Sequence, residues 1–408
     1  MNGMELLRRN HNYRNLWLAQ VGSQFGDWFN QVALAQITLE LTGSASAMGL
    51  VLLCRSLPGV ILGPLVGPYV DRFPTKPLLF FTDLVRAVIA LSYCVAVMDH
   101  ATWVLYAGSL LLGVSGVLFS PSRNATIPLV VSKEDLTTAN ALESAAAGVL
   151  QIVGAICGGF VSVTFSPLAC FLINSASYVW SALHILRSRW HESTRPSREP
   201  YFRLLTDGFH EAMRNRVARA IILIGISWGL AGGGYYILIP VLGEQTFHMG
   251  GFGIGVLYTM DGAGVLLGSL FVHYFVRGNH RNAVVWYGVA YTTQALFFGI
   301  LTQATNVVLG CLSLLLMRMS SGVIIPLDAY LLQTGTDPTK RGRVFSLHVS
   351  TYGGVMQLSY VATGFALQHF GIHLMGMVIA AMSLICGVCW LLQFGRSSLA
   401  FPGTRAVQ

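Results

Sequence analysis

The chain is a succession of long apolar stretches, each about as long as a helix that crosses a lipid bilayer. Such a helix needs about 20 mostly apolar residues to span ~30 Å of hydrocarbon. Strands of a membrane barrel would instead show alternating hydrophobicity over about ten residues. The sequence therefore predicts an all-α integral membrane protein. The predicted spans are 15–41, 46–69, 77–98, 102–121, 139–163, 166–186, 218–243, 252–275, 282–302, 305–327, 343–368 and 372–394.

Charged residues are too few to cover soluble domains. They make up 10% of the 408 residues, against roughly 25% in a typical soluble domain. The seven cysteines all fall in apolar stretches, and an odd number without loop pairing argues against a disulfide framework. Cys386 and Cys389 form a C-x-x-C inside an apolar stretch, so we interpret them as packing residues rather than a metal or redox site.

Positive charges are distributed on one side of the predicted spans. Of the 25 Lys and Arg residues, all except Arg55, Arg86 and Arg318 fall at the two termini or in the even-numbered loops. Because Lys and Arg stay on the cytoplasmic side, this pattern predicts that both termini are cytoplasmic. The three exceptions are predicted to lie within the membrane.

The longest connection divides the chain into two parts of similar length. Residues 1–187 form a predicted N-terminal six-helix half, 188–217 a cytoplasmic linker, and 218–408 a C-terminal six-helix half. In the linker, Phe202, Leu205, Phe209 and Met213 recur at helical spacing. This spacing favours a short amphipathic helix on the inner membrane face, although a plain tether is the alternative.

A short repeat suggests that the two halves arose by duplication. The fourth predicted span ends with Gly-Val-Leu-Phe-Ser-Pro-Ser-Arg at 116–123, and its counterpart, the tenth, ends with Gly-Val-Ile-Ile-Pro-Leu-Asp at 322–328. Equal halves with internal similarity are typical of secondary transporters.

Two motifs carry a resemblance to a known family. Residues 67–76 read Gly-Pro-Tyr-Val-Asp-Arg-Phe-Pro-Thr-Lys, which is similar to the G-x-x-x-D-R-x-G-R-K signature of the major facilitator superfamily but departs from it at Pro74 and Thr75. The glycines of the fifth span resemble the antiporter motif G-P-x-x-G-G, with Ala155 in place of proline. These motif glycines are Gly148, Gly154, Gly158 and Gly159.

Further stretches at 23–28, 41–44 and 127–142 resemble the drug:proton antiporter branch of this superfamily, which holds macrolide-efflux proteins and the enterobactin exporter. The resemblance implies two pseudo-symmetric halves in the inner, cytoplasmic membrane of a bacterium. It implies export of an amphipathic small molecule, such as a drug, antibiotic or siderophore, in exchange for protons. The expected partners are this substrate and membrane lipids, with no nucleic acid and no cofactor beyond the proton gradient, and the expected state is a monomer.

Placing an ionisable side chain within a membrane span costs free energy, so each such residue needs an ion-pair partner, contact with water or a functional role. Asp27, Asp261 and Glu143 are the candidates for proton coupling. Arg55 and Arg318 are their candidate partners, with Arg55 expected to pair with Asp27 and Arg318 with Asp261. Permanent structural ion pairs are the alternative, and Glu143 is equally consistent with a gate at the cytoplasmic mouth.

A second set of residues is predicted to form a cytoplasmic gate. Asp83 and Arg86, three residues apart, share a helix face. Arg123 and Asp328 occupy equivalent places in the two halves and are expected to pair only when the inner side is closed; ordinary positive-inside charge is the alternative. The full set is Gly67, Asp71, Arg72, Lys76, Asp83, Arg86, Arg123 and Asp328.

Four aromatic residues are candidates for lining a substrate cavity: Trp28, Phe29, Tyr235 and Tyr236. Glycines of the fifth span are expected to allow close helix packing. A lipid or lysophospholipid translocator on the same fold is the competing function. ATP-driven transport is disfavoured, because there is no phosphate-binding G-x-x-x-x-G-K-[ST] loop. A membrane enzyme is disfavoured, because His369 and His373 lie in a predicted outer loop and have no acidic third ligand. We therefore predict no catalytic residues and no metal site.

Overall fold

The computed structural model describes residues 3–70, 73–190, 209–276, 279–336 and 340–395, without the side chains at 64–70 and 133. Nearly all of these residues are helical. Between the longer α-helices there are a 3₁₀ turn, Lys133–Asp135, and two π-helical turns, Leu242–Thr246 and Val272–Val276. The helices are α1 (Gly3–Arg9), α2 (His11–Thr42), α3 (Ala45–Val70), α4 (Thr75–Asp99), α5 (Thr102–Val130), α6 (Leu136–Thr164), α7 (Pro167–Arg187), α8 (Arg216–Val241), α9 (Gly250–Phe271), α10 (His280–Thr302), α11 (Val307–Gly335) and α12 (Arg341–Phe394).

Ten helices in the described ranges, α3 to α12, are long and apolar enough to cross a membrane. The first predicted span, α2, is outside this group because polar residues such as Asp27, Asn30 and Gln36 interrupt its apolar sequence. Asn30 and Gln36 are nevertheless buried, which indicates a helix packed among other helices.

The last two predicted spans follow each other directly in α12, which comprises two helical segments joined at a kink. Gly371 lies inside it with φ of 76°, a left-handed conformation that glycine adopts without steric cost. This break falls between the predicted spans 343–368 and 372–394.

The chain packs into two compact units, of which unit 1 comprises Met1–Arg198 and Pro240–Thr259. Within it, α2 packs against α6 and α7, α4 against α5 and α7, and α3 against α5. Tyr93, Phe171 and Tyr178 are buried in its core. The segment Pro240–Thr259, assigned from sequence to the second half, groups with unit 1 in this packing.

Close helix approach in unit 1 depends on the glycines of α6. A Cβ atom added at Gly154 would lie 2.8 Å from Cβ of Trp28, and one at Gly158 would lie 3.0 Å from Cα of Phe29. At Gly159 the added atom would lie 2.7 Å from the carbonyl oxygen of Gly251. Gly148 would meet nothing within 4 Å, so three of the four motif glycines occupy tight contacts of the kind that small residues permit.

Unit 2 comprises Glu199–Ile239 and Met260–Gln408. In it α10 packs against both α11 and α12, and the core includes Ile221, Tyr287, Tyr291, Leu331 and Trp390.

Of the amphipathic helix predicted for the linker, residues 209–214 are described and are helical, while its place on the inner membrane face stays a prediction. Phe209 and Met213 are exposed while Ala212 is buried. Glu211 Oε2 accepts a hydrogen bond of 2.7 Å from Lys340 Nζ, which ties this helix to the start of α12. Phe202 and Leu205 lie outside the described residues.

Candidate functional site

A cluster of charged residues lies inside unit 1, where α2, α4 and α7 meet. Arg86 Nη2 on α4 lies 3.5 Å from Asp27 Oδ2 on α2, and Arg86 Nη1 lies 3.3 Å from Asp83 Oδ1. The Tyr178 hydroxyl on α7 donates a hydrogen bond to Asp27 Oδ1. We call Asp27, Asp83, Arg86 and Tyr178 the unit 1 cluster.

Charge is not balanced among the direct contacts of the unit 1 cluster, because two carboxylates share one guanidinium group. The guanidinium also lies over two aromatic rings, 4.2 Å from the Tyr178 centroid and 4.8 Å from that of Phe119. The Asp83 side chain is 0% exposed, whereas that of Asp27 is 26% exposed. Two like charges at one site disfavour each other, and of the two carboxylates Asp27 is the one that is partly exposed.

The predicted pair between Asp27 and Arg55 is wrong. Arg55 forms no ion pair in the described part of the chain, and its Nη1 is buried there without a hydrogen-bond partner. The physical reason is helix packing: α3 lies against α5, where Gly113 is in close contact with the carbonyl oxygen of Arg55. Arg86 on α4 is the arginine that pairs with Asp27.

The placement of Asp83 and Arg86 at a cytoplasmic gate is also corrected. Arg86 lies eleven residues after Thr75, the first residue of α4, which is about 16 Å along the helix at 1.5 Å per residue. Both residues are buried and belong to the interior cluster. The prediction that they share a helix face is confirmed by their ion pair.

Unit 2 contains an ion pair between Asp261 Oδ1 on α9 and Arg318 Nε on α11. The Tyr235 hydroxyl on α8 donates a hydrogen bond of 2.5 Å to the same Asp261 oxygen, and the guanidinium lies 4.9 Å from the Tyr235 ring centroid. The predicted Asp261–Arg318 pair is thus confirmed, and its role in coupling stays a prediction. A Cβ added at Gly264 would lie 2.6 Å from Arg318 Cβ, so this glycine permits the close approach of α9 and α11.

The other residues predicted to act at the cytoplasmic side have partners in unit 1. Arg123 Nη2 lies 2.5 Å from Glu143 Oε2, and the Tyr13 hydroxyl, 3.5 Å from Glu143 Oε1, donates to the Ala139 carbonyl at 3.1 Å. Lys76 Nζ donates to the carbonyl oxygens that end α7. Asp71 and Arg72 lie outside the described part, and of Gly67 only the backbone position in α3 is described, so their gate role stays a prediction.

Asp328 has partners within unit 2. Its Oδ1 accepts a hydrogen bond of 2.6 Å from Tyr287, and its Oδ2 lies 2.9 Å from His348 Nε2. The expected pairing of Arg123 with Asp328 stays a prediction. Asp328 and His348 line a cavity of about 330 Å³ whose wall also includes Arg318 and Tyr236.

Of the four aromatic residues predicted to line a cavity, Tyr236 does so. The expectation for two others is corrected: Phe29 is buried in the core of unit 1, and Tyr235 is fully buried against Asp261. Trp28 lies against Gly154 and makes an edge contact of 5.7 Å with Tyr258. The physical reason is that these helices pack tightly along the faces carrying Phe29 and Tyr235.

Sequence reasoning missed three polar residues of these sites. His348 lies in an apolar span and is itself ionisable, so counting histidines with the intramembrane charges would have found it. Nothing in the sequence singled out Tyr178 or Tyr287, because their partners are on other helices. In the described part of the chain, no group of three or more His, Cys, Asp or Glu residues could hold a metal ion.

Comparisons with known proteins agree with this helical architecture. The chain is 21% identical over 383 residues to macrolide efflux protein A of Streptococcus pyogenes, covering 92% of this chain and 95% of the relative. It is 22% identical to the staphyloferrin A transporter of Staphylococcus aureus, covering 88% and 90%.

Among solved structures, a bacterial homologue of the iron transporter ferroportin in an inward-facing state matches with a TM-score of 0.77 and 16% identity, covering 94% of this chain and 98% of the other. This likeness shows the fold. The family model of the Major Facilitator Superfamily matches residues 16–359. The chain is therefore a transporter, not an enzyme, and belongs to the Major Facilitator Superfamily.

Proposed function

We propose that this transporter exports an amphipathic small molecule by proton antiport and alternating access. The unit 1 cluster is the observation that carries the proposal. Two carboxylates share one arginine there, and the half-buried one, Asp27, is reachable from outside the cluster. Buried ionisable groups in a transporter mark ion and proton pathways, and a cluster with an excess carboxylate can take up and release a proton.

The relatives support the direction of transport. Macrolide efflux protein A is by its name an efflux protein, and another relative, 24% identical over 305 residues, is a putative bacilysin exporter of Bacillus subtilis. The aromatic and charged wall of the unit 2 cavity fits an amphipathic substrate, since such sites combine apolar surface with a few polar groups.

The proposed topology has twelve spans with both termini in the cytoplasm, in the inner membrane of a bacterium. The length of α2, 32 residues, supports the first span, and the break at Gly371 supports two spans within α12. The positions of Lys and Arg along the sequence support the orientation. We propose a monomer that uses the proton gradient without a bound cofactor.

A lipid translocator is the second candidate, and one surface feature favours it. An apolar groove of about 580 Å³ lies on unit 2 between α10, α11 and α12, with Leu296, Met377 and Leu384 among its lining residues. An acyl chain fits such a groove. Among the described residues that line it none is charged, so it offers no counter-charge to a lipid headgroup, and we favour the exporter.

Transport by purified protein in liposomes tests the proposal. An imposed pH gradient should drive accumulation of dyes, macrolides or siderophores, and collapse of the gradient with a protonophore should stop it. Fluorescent lysophospholipid serves as the competing substrate. Lipid movement that ignores the gradient, without gradient-driven movement of any small molecule, would replace the antiporter with a translocator.

A further inference from the structure

The cavity of unit 2 contains a carboxylate that is held in place and still accessible. Tyr287 donates to one oxygen of Asp328, and His348 lies against the other. The side chain of Asp328 is 19% exposed and that of His348 is 12% exposed. Each carboxylate oxygen can accept a further hydrogen bond, so Asp328 remains available to a ligand in the cavity.

The backbone of α8 makes room for the imidazole ring. A Cβ added at Gly225 would lie 2.7 Å from His348 Cε1 and 3.0 Å from Nδ1. This Nδ1 atom is buried and has no hydrogen-bond partner within the described residues. Glycine at 225 therefore allows the ring to lie beside Asp328, where a larger residue would push it aside.

Aromatic side chains surround this pair of ionisable groups. Trp228, Tyr236, Tyr291 and Tyr352 line the same cavity of about 330 Å³, a volume within the ~300–1,000 Å³ typical of small-molecule sites. The faces of aromatic rings attract cations, most strongly where water is excluded. A carboxylate among such rings is suited to an organic cation.

The charges that face the pair from each packed helix determine how it responds to protons. The α10 helix presents Tyr287 and Tyr291, α12 presents Tyr352, and α11 presents Arg318, which is paired with Asp261. Among the residues that line the cavity, α8 contributes one further ionisable side chain, Tyr236.

With the tyrosines neutral, the ionisable groups Asp261, Arg318, Asp328 and His348 carry a net charge of −1 when the histidine is neutral. They carry no net charge once it is protonated. Histidine is the side chain whose charge changes between about pH 5 and 8.

We propose that Asp328 and the surrounding aromatic side chains bind an organic cation, and that proton uptake by His348 releases it. When the ring is protonated, the imidazolium ion neutralises the carboxylate, and the ligand loses its counter-charge. This inference rests on the proposed export function and names the class of its substrate. It separates two tasks, with proton carriage at the unit 1 cluster and pH-tuned cation binding in unit 2.

Binding to the purified full-length protein in detergent tests the proposal. Tetraphenylphosphonium is the probe, because its charge is permanent and any pH dependence then belongs to the protein. We expect wild-type affinity to be about tenfold weaker at pH 5.5 than at pH 8. Neutral triphenylphosphine oxide, a probe of similar shape, should bind weakly and without this dependence. An affinity for the cation that does not change with pH would overturn the proposal.

Three variants test whether Asp328 and His348 are responsible for the pH-dependent binding of the cation. Asp328→Asn should lose at least about tenfold in affinity at pH 8. His348→Gln should bind the cation with the same affinity at pH 5.5 as at pH 8. Gly225→Ala, which leaves both groups in the chain but displaces the ring, should reduce the pH dependence. Retention of the full pH dependence in His348→Gln would contradict the proposal.

His369→Gln is the matched control on the same helix, since His369 is exposed and away from the cavity residues, and it should behave as wild type does. The same variants in liposomes separate this inference from the proposed function. Suppose that the gradient drives export of substrate by wild type, and that cation binding by His348→Gln depends on pH as it does in wild type. This result would overturn the role of His348 alone. Loss of gradient-driven export in wild type with pH-dependent binding intact would overturn antiport alone.

Discussion

Both units contain an aspartate, an arginine and a tyrosine in contact, but the balance of charge differs. In unit 1, Arg86 is shared between Asp27 and Asp83. In unit 2, Arg318 pairs with Asp261 alone among the described residues, and Tyr235 donates to that carboxylate. A buried pair of one aspartate and one arginine has no net charge. One arginine shared by two carboxylates leaves a net negative charge, which a bound proton would neutralise. From this comparison we propose proton exchange in unit 1 and a structural role for the Asp261–Arg318 pair, in place of the coupling role that the sequence predicted for it.

Removing Asp261 should have the largest effect on stability. Asp261→Asn leaves Arg318 buried without a carboxylate among the described residues, and breaking a buried pair costs about 3–5 kcal/mol. The thermal unfolding midpoint in detergent measures the loss. The double variant Asp261→Asn/Arg318→Leu, which removes both charges, should recover most of it. If the double variant is less stable than the single one, Asp261 and Arg318 do not act on stability only through their contact with each other.

The two tyrosines should differ in their contribution. Tyr235→Phe removes a hydrogen bond to a buried carboxylate, and such bonds to charged groups contribute about 1.5–3 kcal/mol. Tyr178→Phe removes the equivalent bond to Asp27, where water can reach the half-exposed carboxylate and replace it. The unfolding midpoints of the two variants, measured side by side, should show the smaller loss for Tyr178→Phe. Equal losses of stability would show that the buried Asp261 and the partly exposed Asp27 do not differ in this respect.

Glycines beside each site set the helix spacing, and enlarging them should displace the charged groups. Gly264→Ala brings a methyl group against Arg318, and Gly26→Ala brings one against Ser177, beside Tyr178. Overpacking of this kind costs about 1–3 kcal/mol. Gly148→Ala is the control, because a Cβ there meets nothing within 4 Å, and its unfolding midpoint should match that of wild type. A large loss in this control would show that helix-backbone effects dominate.

Removing Asp83 should have the smallest effect of the series. Asp83→Asn leaves Arg86 with Asp27 as its partner, so no charge is stranded, and we expect a loss below about 1.5 kcal/mol. The comparison with Asp261→Asn is direct, because each substitution replaces one buried aspartate by its amide. A loss of stability as large as that of Asp261→Asn would indicate that Asp27 does not neutralise the charge of Arg86.

The sequence predicted the helical class and the Asp261–Arg318 pair for definite physical reasons. Long apolar stretches can be read from composition, and an isolated charge in such a stretch demands a partner. It misassigned the partner of Asp27, because Arg55 and Arg86 are both intramembrane arginines and only the packing of α3 against α5 and of α4 against α7 separates them. It also placed Phe29 and Tyr235 in a cavity, since an aromatic residue that packs in a core looks the same in sequence as one that binds a substrate.

The most direct test of the central claim compares neutralisation of the two sites in one transport assay. Wild type, Asp27→Asn and the double variant Asp261→Asn/Arg318→Leu are reconstituted into liposomes, and substrate accumulation is followed with and without an imposed pH gradient. We predict that Asp27→Asn loses at least about tenfold of the gradient-driven rate, while the double variant still responds to the gradient. A double variant that no longer responds, together with an Asp27→Asn variant that transports as wild type does, would contradict the account.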